Sequence, residues 1–170
     1  REYLKRLDNL LDRPGVLFVV GGSSLTLLGI KDVTLDIDLA LAADEADPVY
    51  LLEAINKANG GRYLVDVVKM SMVLPLPDGY AERAELAAEF GNLRVYHFDP
   101  YSIALHKLAR SEERDVVDVS GMLKAGRIGC AELRRHFANL LAQCSASGIG
   151  SVDQADLQWK FDAFHQQHCQ

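Results

Sequence analysis

The stretch covering residues 18–41 constrains the fold more than any other part of the chain. An apolar run ends at Gly21 and Gly22, thirteen residues follow, and Asp36 and Asp38 then stand within an alternating apolar pattern. Two carboxylates one residue apart on a strand share a face, about 6.5–7 Å apart along the chain. Adjacent glycines let a phosphate approach the backbone closely. The stretch therefore predicts metal-assisted chemistry on a nucleotide.

The order of segments along the chain predicts a mixed architecture. The expected strands are 16–20, 35–42, 63–70 (continued or paired by 71–76) and 93–98. The expected helices are 2–12, 23–28, 48–58, 100–109, 114–124, 132–144 and 152–168. We therefore expect an α/β (α+β) fold with a small mixed β-sheet core over residues 1–125, flanked by helices, and a helical C-terminal part over residues 126–170 packed on that core.

Composition limits the classes of protein and partner. The chain has 170 residues, 49% of them hydrophobic, which suits one globular domain with or without a helical appendage. Its net charge of −6 argues against tight nonspecific binding to DNA or RNA. We expect no membrane span, because no apolar run approaches the roughly 20 residues that one needs.

The cysteines bear on the expected cellular compartment. Cys130, Cys144 and Cys169 are odd in number and lack CxxC spacing. We expect reduced thiols in a cytoplasmic protein rather than a metal or redox site. Because the sequence begins at Arg1 and not at methionine, we expect the natural start to lie further upstream, and a missing signal peptide is weak evidence.

A third carboxylate strengthens the metal prediction. Asp66 stands alone in the apolar segment Tyr-Leu-Val-Asp-Val-Val, where a buried carboxylate needs a partner, a metal or a shifted pKa. Carboxylate oxygens suit Mg²⁺ or Mn²⁺. We predict a site formed by Asp36, Asp38 and Asp66. The alternative is that Asp36 and Asp38 lie on the solvated face of an edge strand.

The residues after the glycine pair have two interpretations. Ser23 or Ser24 either adds a hydroxyl to a bound phosphate or caps the N-terminus of the following helix. The pattern lacks the GKS or GKT of a P-loop and the third glycine of a dinucleotide fingerprint, so neither of those sites is predicted.

Basic residues further along the chain are also open to two interpretations. Lys107 and Arg110 share a helix face at i,i+3 spacing, which suits a phosphate clamp. They equally suit a solvated face with ion pairs to Glu112, Glu113 or Asp115. Asp115 and Asp118 share a face in the same way and are candidates to hold Arg110 or Arg114 in place.

These residues resemble the nucleotidyltransferase fold of the DNA polymerase β superfamily. The signature of that superfamily begins with an apolar residue, a glycine, and then a second glycine or a serine. After a gap come Asp-x-Asp and, on a later strand, another acidic residue. The residues that match it here are Gly21, Gly22, Asp36, Asp38 and Asp66. Further segments are similar to a prokaryotic branch related to abortive-infection (type IV toxin–antitoxin) nucleotidyltransferase toxins. They are 76–83, 95–100, Lys-Leu-Ala-Arg at 107–110 and Arg-Asp-Val-Val-Asp at 114–118.

The resemblance implies a role for each candidate residue. It implies metal binding by Asp36 and Asp38 with Asp66 as the third carboxylate. It implies nucleotide contacts near Ser23 and from Lys107, in a site framed by the remaining candidates, Arg110, Arg114, Asp115 and Asp118.

The resemblance also implies the reaction and the partners. The expected enzyme moves a nucleoside monophosphate from a nucleoside triphosphate (NTP) to an RNA or protein acceptor, as a toxin with a cognate antitoxin. The alternative is a catalytically inactive nucleotide-sensing or partner-binding module on the same fold. That alternative is kept because relatives often carry a basic residue where this chain has Asp32, with Lys31 one position earlier.

Overall fold

A five-stranded mixed sheet organises the computed structural model, which describes residues 1–42, 45–72, 74–147 and 153–169. The strands are β1 (Gly15–Val19), β2 (Asp36–Leu41), β3 (Leu64–Val67), β4 (Glu85–Glu89) and β5 (Leu93–His97). Their order across the sheet is β3-β2-β1-β5-β4. The pairs β1–β5 and β2–β3 are parallel, whereas β1–β2 and β4–β5 are antiparallel. The predicted mixed-sheet fold class is confirmed.

Seven α-helices flank the sheet in the described part of the chain. They are α1 (Glu2–Asp8), α2 (Gly21–Leu27), α3 (Pro48–Asn59), α4 (Pro100–Arg110), α5 (Glu113–Lys124), α6 (Cys130–Ser147) and α7 (Gln154–His168). Helices α1 and α3 pack against the sheet face that carries Leu17, Leu39 and Val95. Helices α4 to α7 form a second apolar cluster with Val20, Ala40 and Phe98. None of the described helices is long and apolar enough to cross a membrane.

The C-terminal helices share this second apolar cluster with α4. Phe137 of α6 stacks on Phe161 of α7 with ring centroids 3.8 Å apart, and both side chains are buried. Lys160 of α7 donates to the backbone carbonyl of Ala109 at 3.0 Å. The helical C-terminal part is therefore present, and the boundary between residues 125 and 126 stays a prediction.

Two segments differ from the sequence-based assignment. Residues 71–76 form no strand in their described part, where Met70–Met72 is a 3₁₀ turn; Pro75 lacks the N–H that a sheet ladder needs. Strand β4 was missed, because Glu85 and Glu89 hide the pattern in an edge strand that carries a bulge between Leu86 and Ala88.

The prediction of three reduced thiols is wrong for two of the cysteines. Cys130 and Cys169 form a disulfide with their Cα atoms 5.6 Å apart, and Cys144 is free and buried. Cys130 begins α6 and Cys169 follows α7, so the contact depends on how these two helices pack. A spacing of 39 residues carries no local motif that would indicate the pairing. The cytoplasmic location stays a prediction, and disulfides are rare in that compartment.

Candidate active site

Three carboxylates meet at the β2–β3 end of the sheet. Asp38 is the register partner of Asp66 across the parallel β2–β3 pair, and Asp36 lies two residues earlier on the same face of β2. Each side chain offers one oxygen atom, and these atoms lie within 4.8 Å of one another. We call this group the acidic triad. Asp66 is exposed because β3 is an edge strand, so the expectation of a buried carboxylate there is wrong.

The glycine pair shapes the wall beside the acidic triad. The backbone N–H of Gly22 donates to Oδ2 of Asp38 at 3.0 Å. Gly21 has φ +52°, and a Cβ atom there would lie 2.5 Å from the same Oδ2. A Cβ on Gly22 would lie 2.7 Å from Oγ1 of Thr34. Both positions therefore require glycine for close approach, and the first also for its backbone conformation.

The two serines have structural contacts. The Ser23 hydroxyl donates to the carbonyl of Asp36 at 3.1 Å and accepts the N–H of Asp38 at 3.0 Å. Ser24 is fully buried, and its hydroxyl lies 2.9 Å from Nδ1 of His97. Neither serine caps α2, which has Val20 at its N-cap. Ser23 thus joins α2 to β2 beside the acidic triad, whereas Ser24 faces away from it.

Opposite the acidic triad lies an ion-pair network, defined by Lys31, Lys107, Arg110, Asp115 and Asp118. Nζ of Lys107 lies 3.2 Å from Asp115 and 2.8 Å from Asp118, and all three side chains are buried. Arg110 donates to both oxygens of Asp115 at 2.7 and 2.6 Å. Nζ of Lys31 lies 3.0 Å from Asp118.

Both interpretations of Lys107 and Arg110 can be compared with the ion pairs that the two side chains make. Arg110 pairs with Asp115, one of the expected partners, whereas the buried Lys107 pairs with Asp115 and Asp118 and so does not lie on a solvated face. The phosphate clamp stays a prediction. Burial alone would raise the pKa of Asp115, but the Arg110 guanidinium and the Lys107 ammonium outweigh it and hold that pKa below its usual range. Arg114 pairs instead with Glu112 at 2.7 Å, outside the network.

A cavity of about 820 Å³ separates the acidic triad from the network. Its volume lies within the range of small-molecule sites. Gly21, Gly22, Asp36 and Asp38 form one side, and the cationic side contains Lys31, Lys107, Arg110 and Arg114. Apolar side chains also line the cavity, among them Val33 and Leu35, which are 67% and 84% exposed.

Electrostatics within the acidic triad favour a bound cation. The pKa of Asp38 is raised, first by burial and then by the negative charges of Asp36 and Asp66, against N–H donors from Gly22 and Ser23. Such repulsion is relieved when a divalent metal binds the carboxylates. Three hard oxygen donors within reach of one another fit Mg²⁺ or Mn²⁺.

Sequence reasoning assigned no role in the site to four of the residues that line it. Thr34 donates from Oγ1 to Oδ1 of Asp36 at 2.9 Å, and its place two residues before Asp36 was the only signal. Lys31 was noted only as a neighbour of Asp32, yet it lines the cavity. Asp153 and Asp156, at the start of α7, also line it. Neither was assigned to the site, because their distance along the chain from the other lining residues leaves no reliable pattern.

A mixed sheet with clustered carboxylates beside a glycine turn, facing cations across a cavity, is typical of proteins that act on phosphorylated ligands with a divalent metal. The comparison with protein families agrees with this class. Residues 1–168 match the family described as nucleotidyltransferase of unknown function (DUF6036), and the chain belongs to that family. Searches of curated proteins and of solved structures found no match. The family supports a general role in nucleotidyl transfer.

Proposed function

We propose that the protein is a metal-dependent nucleotidyltransferase that moves a nucleoside monophosphate from an NTP to a hydroxyl of an RNA or protein acceptor. The observation that carries the proposal is the acidic triad, whose ligand atoms lie within 4.8 Å of one another and two of whose members, Asp36 and Asp38, line a cavity of about 820 Å³. Membership of a nucleotidyltransferase family supports the same chemistry.

The reaction is a displacement at the α-phosphorus of the NTP. The acceptor hydroxyl oxygen forms a bond to that phosphorus, the bond to the β-phosphate oxygen breaks, and pyrophosphate leaves. Bound Mg²⁺ or Mn²⁺ supplies Lewis-acid stabilisation of the phosphate oxygens. Asp36, Asp38 and Asp66 hold the metal, and the exposed carboxylate of Asp66 favours release of the hydroxyl proton.

Residues around the cavity position the triphosphate. The exposed Arg110 and Arg114 and the half-buried Lys31 present cations to the cavity. Lys107 is buried beneath them and holds Asp115 and Asp118. Gly21 and Gly22 also line the cavity, and they let the Asp38 carboxylate and Thr34 lie against the backbone there.

The proposal is tested with purified protein, Mg²⁺, α-labelled NTPs and either total RNA or a mixture of proteins as acceptor. We expect label transfer by the wild type and none by Asp36→Asn/Asp38→Asn. Glu53→Gln, on the exposed side of α3, is the matched control and keeps wild-type transfer. Binding of NTP with Mg²⁺ but without transfer to any acceptor would favour the inactive sensor. No Mg²⁺-dependent NTP binding would reject both functions.

The role as a toxin with a cognate antitoxin stays a prediction of the sequence resemblance. A small neighbouring reading frame whose product inhibits label transfer would support it. The toxin role would be contradicted if cells that express the wild type grow normally while protein purified from those cells is active in label transfer.

A further inference from the structure

Strand β3 has a strand partner on one side only in the part of the chain that the structure describes. It lies at the edge of the sheet and pairs, among the described residues, with β2 alone. The N–H of Val68 donates to the carbonyl of Leu39 at 2.8 Å. Because the bonding direction alternates along a strand, the N–H and C=O groups of Val65 and Val67 point away from β2. We call this outer side of residues 64–68 the open edge.

The open edge adjoins the acidic triad. Leu64 and Val68 flank Asp66 at two-residue spacing on the same face, and they are 71% and 39% exposed. Val68 also lines the cavity. A strand added here would therefore place alternate side chains over the site and in contact with exposed apolar groups.

The open edge has one of the usual protections against pairing, which is its short length. Natural proteins also guard edge strands with lysine, proline or bulges. Residues 64–68 read Leu-Val-Asp-Val-Val, and their only charge is Asp66, a member of the acidic triad. Four residues form β3, which suits the brief docking of a substrate better than a permanent interface.

We propose that the acceptor is a serine or threonine in an extended polypeptide segment that pairs with the open edge of β3. The proposal rests on the proposed nucleotidyltransferase function. In an added antiparallel strand, the residue opposite Asp66 has its Cα about 4.5–5.5 Å away and its side chain on the face of the acidic triad. A short hydroxyl side chain there lies beside the Asp66 carboxylate.

Charge favours a polypeptide over RNA as the occupant. The chain carries −6 overall. Of the four cations that line the cavity, Lys107 is buried against Asp115 and Asp118, and the other three (Lys31, Arg110 and Arg114) position the triphosphate in the proposed function. An RNA backbone needs an excess of such cations along its path. The overall charge of −6 instead favours the approach of a peptide with basic flanking residues.

The transfer then follows the proposed reaction with a defined acceptor. The Ser or Thr oxygen forms a bond to the α-phosphorus, pyrophosphate leaves with the bonding electrons, and the hydroxyl proton passes to Asp66 and then to water. The product is a phosphodiester between the peptide and the nucleoside, so no oxidant or further reactant is needed.

The test uses short peptide libraries with a central Ser, Thr or Tyr, apolar neighbours and either Lys or Glu flanks, beside total RNA. We expect α-label on Ser or Thr peptides, most strongly with Lys flanks. Val65→Pro removes an outward donor from the open edge, where proline is tolerated, and we expect about tenfold less peptide labelling with NTP binding retained. Methylating the peptide backbone nitrogens tests the same pairing without altering the protein.

A second measurement does not depend on turnover or metal. In NMR spectra of the metal-free protein, Lys-flanked peptides should shift the amide signals of Val65 and Val67 and leave those of the opposite edge strand β4 in place. Shifts confined to other surfaces would overturn the proposal.

The outcomes separate the two proposals. Four outcomes would overturn the docking proposal and leave nucleotidyl transfer standing. Two are label on RNA alone and label on tyrosine alone. The others are peptide labelling that neither Val65→Pro nor backbone methylation reduces, and self-association of the chain through β3. Failure of the wild type to bind NTP with Mg²⁺ would reject nucleotidyl transfer itself.

Discussion

The backbone N–H of Gly22 donates to Oδ2 of Asp38 at 3.0 Å, so the glycine turn after β1 holds a carboxylate of β2. The preceding residue, Gly21, has φ +52° and allows this contact because it has no Cβ. The glycine pair therefore holds Asp38 in its place within the acidic triad.

Gly21→Ala should impair metal binding. Its Cβ would lie 2.5 Å from Oδ2 of Asp38, so the carboxylate must move. We expect a loss of about 1–2 kcal/mol in unfolding free energy from the left-handed backbone and at least about a tenfold loss of Mn²⁺ affinity. Calorimetric Mn²⁺ titration and urea unfolding measure the two effects.

Gly126→Ala is the matched control for this substitution. Gly126 has φ +66°, and a Cβ atom there would have nothing within 4 Å, so alanine meets backbone strain alone. It should lose comparable stability and keep its Mn²⁺ affinity. Equal loss of affinity in both variants would show that strain, and not displacement of Asp38, weakens the site.

Local pattern was enough to predict part of the fold and site. The alternation in β2 correctly placed Asp36 and Asp38 on one face, because a two-residue period depends only on the backbone. The pairing that brings Asp66 level with Asp38 is non-local, and a lone carboxylate in an apolar segment was its only trace. The exposure of Asp66 follows from strand order, which no local pattern encodes.

The partners of the cations were harder to predict. Helical spacing placed Lys107 and Arg110 on α4, but their pairing depends on the sharp turn at Ser111 (φ 57°), after which α5 folds back with Asp115 and Asp118. Lys31 reaches Asp118 across 87 residues of sequence. Such contacts follow from helix packing, so the sequence left the clamp and the ion pairs as equal alternatives.

Lys107→Ala should destabilise the fold. It would leave Asp115 and Asp118 buried without one of their cations. Removing one partner of a buried ion pair costs about 3–5 kcal/mol of unfolding free energy. Because Arg110 and Lys31 still pair with Asp115 and Asp118, we expect a loss at the lower end of this range, about 3 kcal/mol. Arg114→Ala breaks an exposed pair with Glu112 and should cost under about 0.5 kcal/mol. Urea unfolding measures both losses. If Lys107→Ala keeps wild-type stability but no longer binds NTP, Lys107 acts as a phosphate ligand instead.

Thr34→Val should weaken metal binding while leaving the fold intact. The Thr34 hydroxyl donates to Oδ1 of Asp36 at 2.9 Å and orients that carboxylate. Loss of a partner that orients a ligand typically reduces metal affinity by about tenfold. Thr34→Ser keeps the hydroxyl and should restore Mn²⁺ affinity in a calorimetric titration. Equal affinities for the Val and Ser variants would exclude the positioning role.

Asp38→Asn should stabilise the metal-free protein at neutral pH. Burial and the charge of Asp36 raise the pKa of Asp38, so the native state binds this proton more tightly than the unfolded chain does. The stability that Asp38 contributes is therefore present below about pH 3.9 and is lost as pH rises through the native pKa. With chelator at pH 7, we expect the unfolding free energy of Asp38→Asn to exceed that of the wild type by a few tenths to about 1 kcal/mol. The gain is small because solvent screens this half-buried group.

The gain in unfolding free energy from Asp38→Asn should disappear at about pH 4, where the wild-type carboxyl is itself protonated. Adding Mg²⁺ at pH 7 should reverse the order, because only the wild type offers the full acidic triad to the ion. Urea unfolding at both pH values, with and without Mg²⁺, measures each comparison, and Glu53→Gln on α3 should follow the wild type throughout. An Asp38→Asn variant less stable than wild type at pH 7 in chelator would mean that the Gly22 contact outweighs burial and repulsion, so that the ionised carboxylate itself stabilises the metal-free fold.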